Sequence, residues 1–120
     1  DVTIVSYGLG VHWAMETLDE HPEISADLID LRTLVPMDIE TVLASAKKTG
    51  RVIVFHEDVE IGGIGAEIVT QINEACFEYL DAPIRRVGSL NTPVPFNANL
   101  ERNFLPKDRF KVVLQELLNY

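Results

Sequence analysis

Between Arg51 and Ile68 the chain reads RVIVFHEDVEIGGIGAEI, an apolar run that passes into an acidic His-Glu-Asp cluster, a glycine-rich turn and the start of a helix. The run Val52-Ile53-Val54-Phe55 is short, continuous and largely β-branched, which suits a strand buried on both faces of a parallel sheet. After it, Gly62, Gly63 and Gly65 permit positive φ or close backbone approach, and Glu67 falls in a first helical turn, where the macrodipole favours a carboxylate. Apolar positions continue at Ile64, Ile68, Ile72, Ala75 and Tyr79, with Val69 and Cys76 beside them, so one face of this helix must be buried. A strand, a tight turn and a helix in that order make a crossover unit, and crossover units build α/β folds.

The rest of the chain repeats the alternation. The pattern predicts strands at Val2–Ser6, Asp27–Leu31 and Ile84–Val87, and helices near Val11–Asp19, at Ile39–Lys47 with Asp38 as its cap, and at about Lys107–Leu118. In the last helix Phe110, Val113, Leu114 and Leu117 form a stripe of helical spacing, read as core packing. Residues 91–106 contain Pro93, Pro95, Asn97, Asn99 and Pro106, which predicts an ordered or partner-held loop. The expected fold class is α/β, a three-layer, mostly parallel sheet of about five strands flanked by helices. Whether a last strand runs antiparallel at one edge is left open by the pattern.

A length of 120 residues with 47% hydrophobic composition fits one domain spanning residues 1–120 with a substantial core. The first strand begins almost at Asp1, which reads as a piece of a longer polypeptide. No apolar run approaches the roughly 18 residues of a membrane span. Cys76 is the only cysteine, so an internal disulfide is impossible and a buried thiol is expected. A formal net charge of −9 argues against nucleic-acid binding, which needs clustered Lys and Arg. Residues 1–40 carry nine acids against Arg32 alone, whereas residues 82–120 carry six basic and three acidic side chains. An acidic surface facing a basic partner fits this imbalance, and so does ordinary solubilising charge.

Two glycine turns invite comparison with ligand-binding loops. Gly8-Leu9-Gly10 follows the first strand and Asp30 lies 20 residues after Gly10, as in a dinucleotide fingerprint, but Trp13 occupies the place of the third glycine. That reads as a structural turn, with Trp13 and Met15 filling the core or an interface. The second turn, Gly62, Gly63 and Gly65, is a candidate anion site at a helix start, opposed by Glu67. His56, Glu57 and Asp58 fall at the carboxyl edge of the sheet, where open α/β folds place their ligand sites. His56 with Glu57 or Asp58 is the local candidate for acid-base work, although neighbours on a strand face opposite ways. His12 and His21 lie elsewhere, so no metal set is assigned. None of the serines has a hydrolase elbow around it, and Arg85 and Arg86 are expected on opposite faces of their strand.

Read with Ala82-Pro83-Ile84-Arg85-Arg86-Val87, Asn91-Thr92-Pro93-Val94-Pro95, Leu100-Glu101 and Phe104-Leu105-Pro106, the Arg51–Ile68 unit resembles the C-terminal domain of the transketolase family. Within that family the pattern is similar to the beta subunits of thiamine-dependent 2-oxoacid dehydrogenases of pyruvate and branched-chain type, over nearly the whole chain. The resemblance implies a parent enzyme that decarboxylates a 2-oxoacid and transfers the acyl group reductively to the lipoyl arm of an acyltransferase. It implies thiamine diphosphate and magnesium in that parent, held between two other domains; the Gly-Asp-Gly…Asn-Asn diphosphate pattern is absent here. The domain itself would then bind no cofactor and carry no catalytic residue. Its implied roles are subunit dimerisation within a homo-oligomer or heterotetramer, support of the cofactor-binding domains, and docking of the acyltransferase's basic subunit-binding module. His56, Glu57, Asp58 and Glu60 are the candidate partner contacts. The implied compartment is the cytoplasm, or the mitochondrial matrix in a eukaryote, with no membrane or nucleic-acid partner. The alternative is a regulatory domain binding a small molecule or anion at the glycine turns.

Overall fold

The computed structural model describes all 120 residues. Strand β1 (Val2–Ser6) leads through helix α1 (Leu9–Glu20) to β2 (Ala26–Asp30), and helix α2 (Ile39–Thr49) leads to β3 (Val52–Val59). Helix α3 (Gly65–Cys76) and a short 3-10 turn (Phe77–Tyr79) precede β4 (Arg85–Ser89), and the chain closes with α4 (Ala98–Phe104) and α5 (Lys107–Leu118). The sheet has four strands in the order β2-β1-β3-β4, and every pairing is parallel. The expectation of about five strands is corrected to four, with no antiparallel edge. All strand carboxyl ends therefore lie along one edge.

Strand alternation divides the core into two layers. Val2, Ile4, Ile53, Phe55 and Val87 face one side, under Trp13 and Ala14 of α1 and Phe110, Leu114 and Leu117 of α5. Val5, Val52 and Val54 face the other, under Val42 and Ala46 of α2 and Ile68, Ile72 and Cys76 of α3. This is the three-layer arrangement expected of a continuous apolar strand. Phe55 and Phe110 stack at a centroid distance of 4.1 Å, and full burial of one such ring stabilises by roughly 1.5–3 kcal/mol. Trp13 fills the same layer, tilted against Phe55, whereas Met15 is exposed.

The predicted cap of α2 is present: the Thr41 amide donates to Asp38 Oδ1 at 3.1 Å, and Gly50 ends the helix in the left-handed region at φ 69°. Helix α3 buries a stripe at Gly65, Ile68, Ile72 and Cys76, while Ala75 and Tyr79 are exposed. The stripe packs on the sheet and on α2, where Cys76 Sγ lies 3.7 Å from the Leu43 carbonyl oxygen.

Two boundaries depart from the sequence pattern. β3 continues through the His-Glu-Asp cluster to Val59, because β4 pairs with it as far as Val59 and Ser89, across a register shift after Phe55. In the segment expected to be irregular, α4 forms because the Asn97 side chain accepts from the amides of Asn99 and Leu100. Arg109 then ties α4 and α5 to the sheet, donating to the Gly88 carbonyl at 2.6 Å and to the carbonyls of Asn103 and Phe104.

Candidate functional site

The carboxyl edge of the sheet gathers the end of β1, the last residues of β3 and β4, the glycine turn and the segment leading into α4. Ser6 Oγ donates to the Phe55 carbonyl at 2.6 Å, and the Glu60 amide donates to the Ser89 carbonyl at 3.3 Å. Ser89 Oγ also donates to the Glu57 carbonyl, and the Ile61 amide donates to Asn91 Oδ1 at 2.8 Å. These bonds hold the bulged end of β3 between its neighbours.

The bulge separates the residues of the acidic cluster. His56 continues the parity of Val52 and Val54 and its side chain is wholly buried, whereas Glu57 and Asp58 are exposed and Glu60 is half-buried. The Asp58 carboxylate accepts from the Val59 amide at 2.8 Å, which turns it back along its own backbone. The sequence placed His56 among the partner contacts; its ring has no surface with which to touch a partner, and Glu57, Asp58 and Glu60 are the members of the set that reach solvent.

Around the ring the packing is close on every side. His56 Nδ1 lies 3.0 Å from the Asp58 carbonyl oxygen, and Tyr7 stacks at a centroid distance of 6.0 Å. Nε2 is buried with no hydrogen-bond partner. A Cβ on Gly65 would overlap Nε2, and one on Gly63 or Gly88 would come within 3.1 Å and 3.0 Å of Cε1. Gly62 supplies the turn with positive φ, 82°, while Gly63 and Gly65 permit the close approach. Burial pushes the imidazole below the usual histidine range; the bond to Asp58 and the charges of Asp58 and Glu60 oppose this, and Arg86 adds to it. Since a carbonyl only accepts, Nδ1 carries the proton and the neutral ring presents a bare lone pair at Nε2.

Sequence reasoning missed Tyr7 and Glu101. Tyr7, Glu57, Asp58, Val59, Val94 and Glu101 line an open hollow of about 440 Å³ together with Phe104 and Leu105. Burial first, and then the charges of Asp58 and Glu57, push the Tyr7 hydroxyl above its ordinary range. The signal for Tyr7 was its place directly after β1, at the same edge as the acidic cluster. Val94 exposes its apolar side chain at the hollow, and in the segments after β3 and β4 so do Ile61, Leu90, Phe96 and Leu100, Phe96 entirely.

Elsewhere several acids have cationic neighbours. Glu16 and Glu20 of α1 pair with Lys107 and Lys111 of α5, Asp27 with Lys48, and Asp30 with Arg32. The charge imbalance between the chain's two ends is thus partly matched within the fold. At the first glycine turn, a Cβ on Gly10 would overlap Ser6 Oγ, which accounts for that glycine by packing. Arg85 reaches Glu116 of α5, while Arg86 lies on the other face, near Gly65. No helix is long and apolar enough to cross a membrane.

The family pattern described as "Transketolase, C-terminal domain" matches residues 1–109. A pyruvate dehydrogenase E1 component subunit beta of Rhizobium meliloti is 42% identical over 108 residues, covering 88% of this chain and 24% of that protein. A 2-oxoisovalerate dehydrogenase subunit beta of Bacillus subtilis is 36% identical, covering 100% of this chain and 38% of that protein. Among solved structures, a split gene transketolase described as an inactive beta4 tetramer superposes with a TM-score of 0.74 at 30% identity, covering 99% of this chain and 38% of that one. The chain therefore spans between about a quarter and two fifths of the length of these relatives. The family pattern covers residues 1–109 and the structural match covers 99% of the chain, and the chain belongs to the transketolase C-terminal domain family.

Proposed function

We propose that the chain is the non-catalytic assembly and interaction domain of the beta part of a thiamine diphosphate-dependent 2-oxoacid dehydrogenase first component, of pyruvate or branched-chain type. It joins subunits, buttresses the cofactor-binding domains and docks the basic subunit-binding module of the acyltransferase core. The expected compartment is the cytoplasm, or the mitochondrial matrix in a eukaryote.

The observation that carries this reading is the composition of the carboxyl edge. Glu57 and Asp58 are exposed on the bulged end of β3, and exposed apolar side chains at Ile61, Val94, Phe96 and Leu100 lie in the segments that follow β3 and β4. Charge steers encounter and desolvated apolar groups hold the complex, so such an edge suits a partner with basic and apolar groups. The same residues do not suit a general acid-base pair, because no carboxylate bonds the ring: Nδ1 of His56 is taken by the Asp58 backbone carbonyl and Nε2 is buried without a partner.

The cofactor of the proposed parent fits poorly on this chain. A diphosphate at the Gly62–Gly65 turn would meet Glu67 in the first turn of α3, and Gly63 and Gly65 are packed on His56. No three His, Cys, Asp or Glu side chains come together to hold a metal ion. On this reading thiamine diphosphate and magnesium sit in other domains of the parent enzyme, and no chemical step runs through the residues present here.

Titration calorimetry with thiamine diphosphate and magnesium tests the non-catalytic part. The expected result is no saturable heat at micromolar cofactor, and saturable heat would contradict it. The docking part predicts that the subunit-binding module binds more weakly as salt rises, since opposed surface charges are screened over roughly 8–10 Å at physiological ionic strength. Binding indifferent to salt would contradict it.

A further inference from the structure

We propose that His56 is a proton-operated latch on the glycine turn: neutral, it seats the start of α3 against β3 and β4, and protonated, it releases the turn and loosens the Glu57–Glu60 edge. Its consequence for partner docking rests on the interaction reading above, but the latch is a property of the chain alone and is tested without any partner.

The geometry assigns the two states. In the neutral state the Nδ1 proton satisfies the Asp58 carbonyl at 3.0 Å and Nε2 needs no donor. A second proton can only go to Nε2, which is buried, has no acceptor and abuts Gly65. A buried cation carrying an unmade hydrogen bond is strongly unfavourable. The fold can accept that proton by opening the contact so that water reaches Nε2, and the contact in question is the one between the ring and the first residue of α3.

The groups facing the ring decide the balance. Tyr7 stacks on it from the end of β1 and carries no charge in the histidine range. From β3 and the residue after it, Asp58 and Glu60 favour the cation, and Arg86 of β4 opposes it. From α3 the ring meets Gly65, and Glu67 in the same turn is exposed. The loop glycine Gly63 and Gly88 of β4 close the remaining side. Burial outweighs the two carboxylates, so the closed state binds the ring in its neutral form. The sign follows: a histidine held below its unfolded value gives full closure above about pH 6.5, and closure is lost as pH falls from there through the folded value.

The test pairs two exchange measurements on the intact protein between about pH 8 and about pH 5, either side of the ordinary histidine value. Exchange of the histidine C2 hydrogens, read by mass spectrometry, reports protonation of His56. Amide exchange, corrected for its intrinsic pH dependence, reports opening of residues 57–66. The account expects His56 to titrate below the usual histidine value and protection of that segment to fall on acidification, approaching about tenfold per pH unit. His56→Asn keeps a donor toward the Asp58 carbonyl and does not titrate, so its segment should lose that pH dependence. Three results would each overturn the latch: a His56 that titrates at or above the ordinary value, a wild-type segment whose protection ignores pH, or an Asn variant that still opens on acidification. Should the variant fail to fold, the two wild-type measurements decide alone.

Discussion

Gly65 lies against the Nε2 edge of His56 so closely that a β-carbon on the glycine would overlap the ring nitrogen. This contact joins the first residue of α3 to the last inward-facing residue of β3, and it makes the side-chain volume at position 65 a structural constant of the edge. Gly65→Ala should destabilise the protein by about 1–3 kcal/mol, the usual effect of forcing a methyl group into a packed interior, despite alanine's better helix propensity. Denaturant midpoints compared with Ala66→Gly, which removes a methyl group from the next position, check it. A Gly65→Ala variant as stable as wild type would mean that the ring moves aside at little expense.

Asn97→Ala should remove the side-chain acceptor that satisfies the Asn99 and Leu100 amides, destabilising α4 by about 1 kcal/mol. Amide exchange should rise across residues 98–104, with little change in the strands. Uniform loss of protection throughout the chain would instead show that α4 unfolds only with the whole fold.

The contacts between α1 and α5 carry a pH signature. Hydrogen bonding from Lys111, and then its charge, hold the Glu20 carboxyl below the usual carboxylate range. A depressed carboxylate contributes stability that is present above its unfolded pKa and lost as pH falls through the folded value. Lys111→Met should therefore bring the Glu20 titration, followed by carboxyl NMR shifts, back toward the ordinary range. Any stability deficit of that variant should be present at neutral pH, shrink with added salt and vanish in acid.

Much of this fold was legible in the sequence because β3 opens on a run that is apolar on both faces and the helices are striped. The unbroken run Val52–Phe55 and the stripe of α5 required a sheet covered on both sides, and both lie where expected. The end of β3 was not legible, since a bulge depends on pairing with β4, which no local signal encodes. α4 was hidden by the prolines on either side of it, although Asn97 ahead of Ala98 and Pro106 beyond its end are recognisable start and stop signals. The site was half legible. The cluster at the sheet edge could be read from its place after an apolar strand, but which of its members faced solvent depended on the bulge. Only the three-dimensional packing reveals that three separate glycines, Gly63, Gly65 and Gly88, close around one histidine, with the carbonyls of Val59 and Asp58 crowding Gly63 and Gly88 more tightly still.

The central claim, that the carboxyl edge is an interaction surface, is tested most directly by charge reversal in a surface-plasmon titration against the acyltransferase's subunit-binding module. Glu57→Lys with Asp58→Lys changes two exposed side chains and gives up one local bond, that from the Val59 amide to Asp58, while leaving the bond between His56 and the Asp58 backbone carbonyl in place. The account predicts slower association, weaker affinity and a flatter salt dependence, with a melting temperature close to that of wild type. An unaltered binding constant would contradict the account, and a large fall in melting temperature would contradict the placement of Glu57 and Asp58 as free surface.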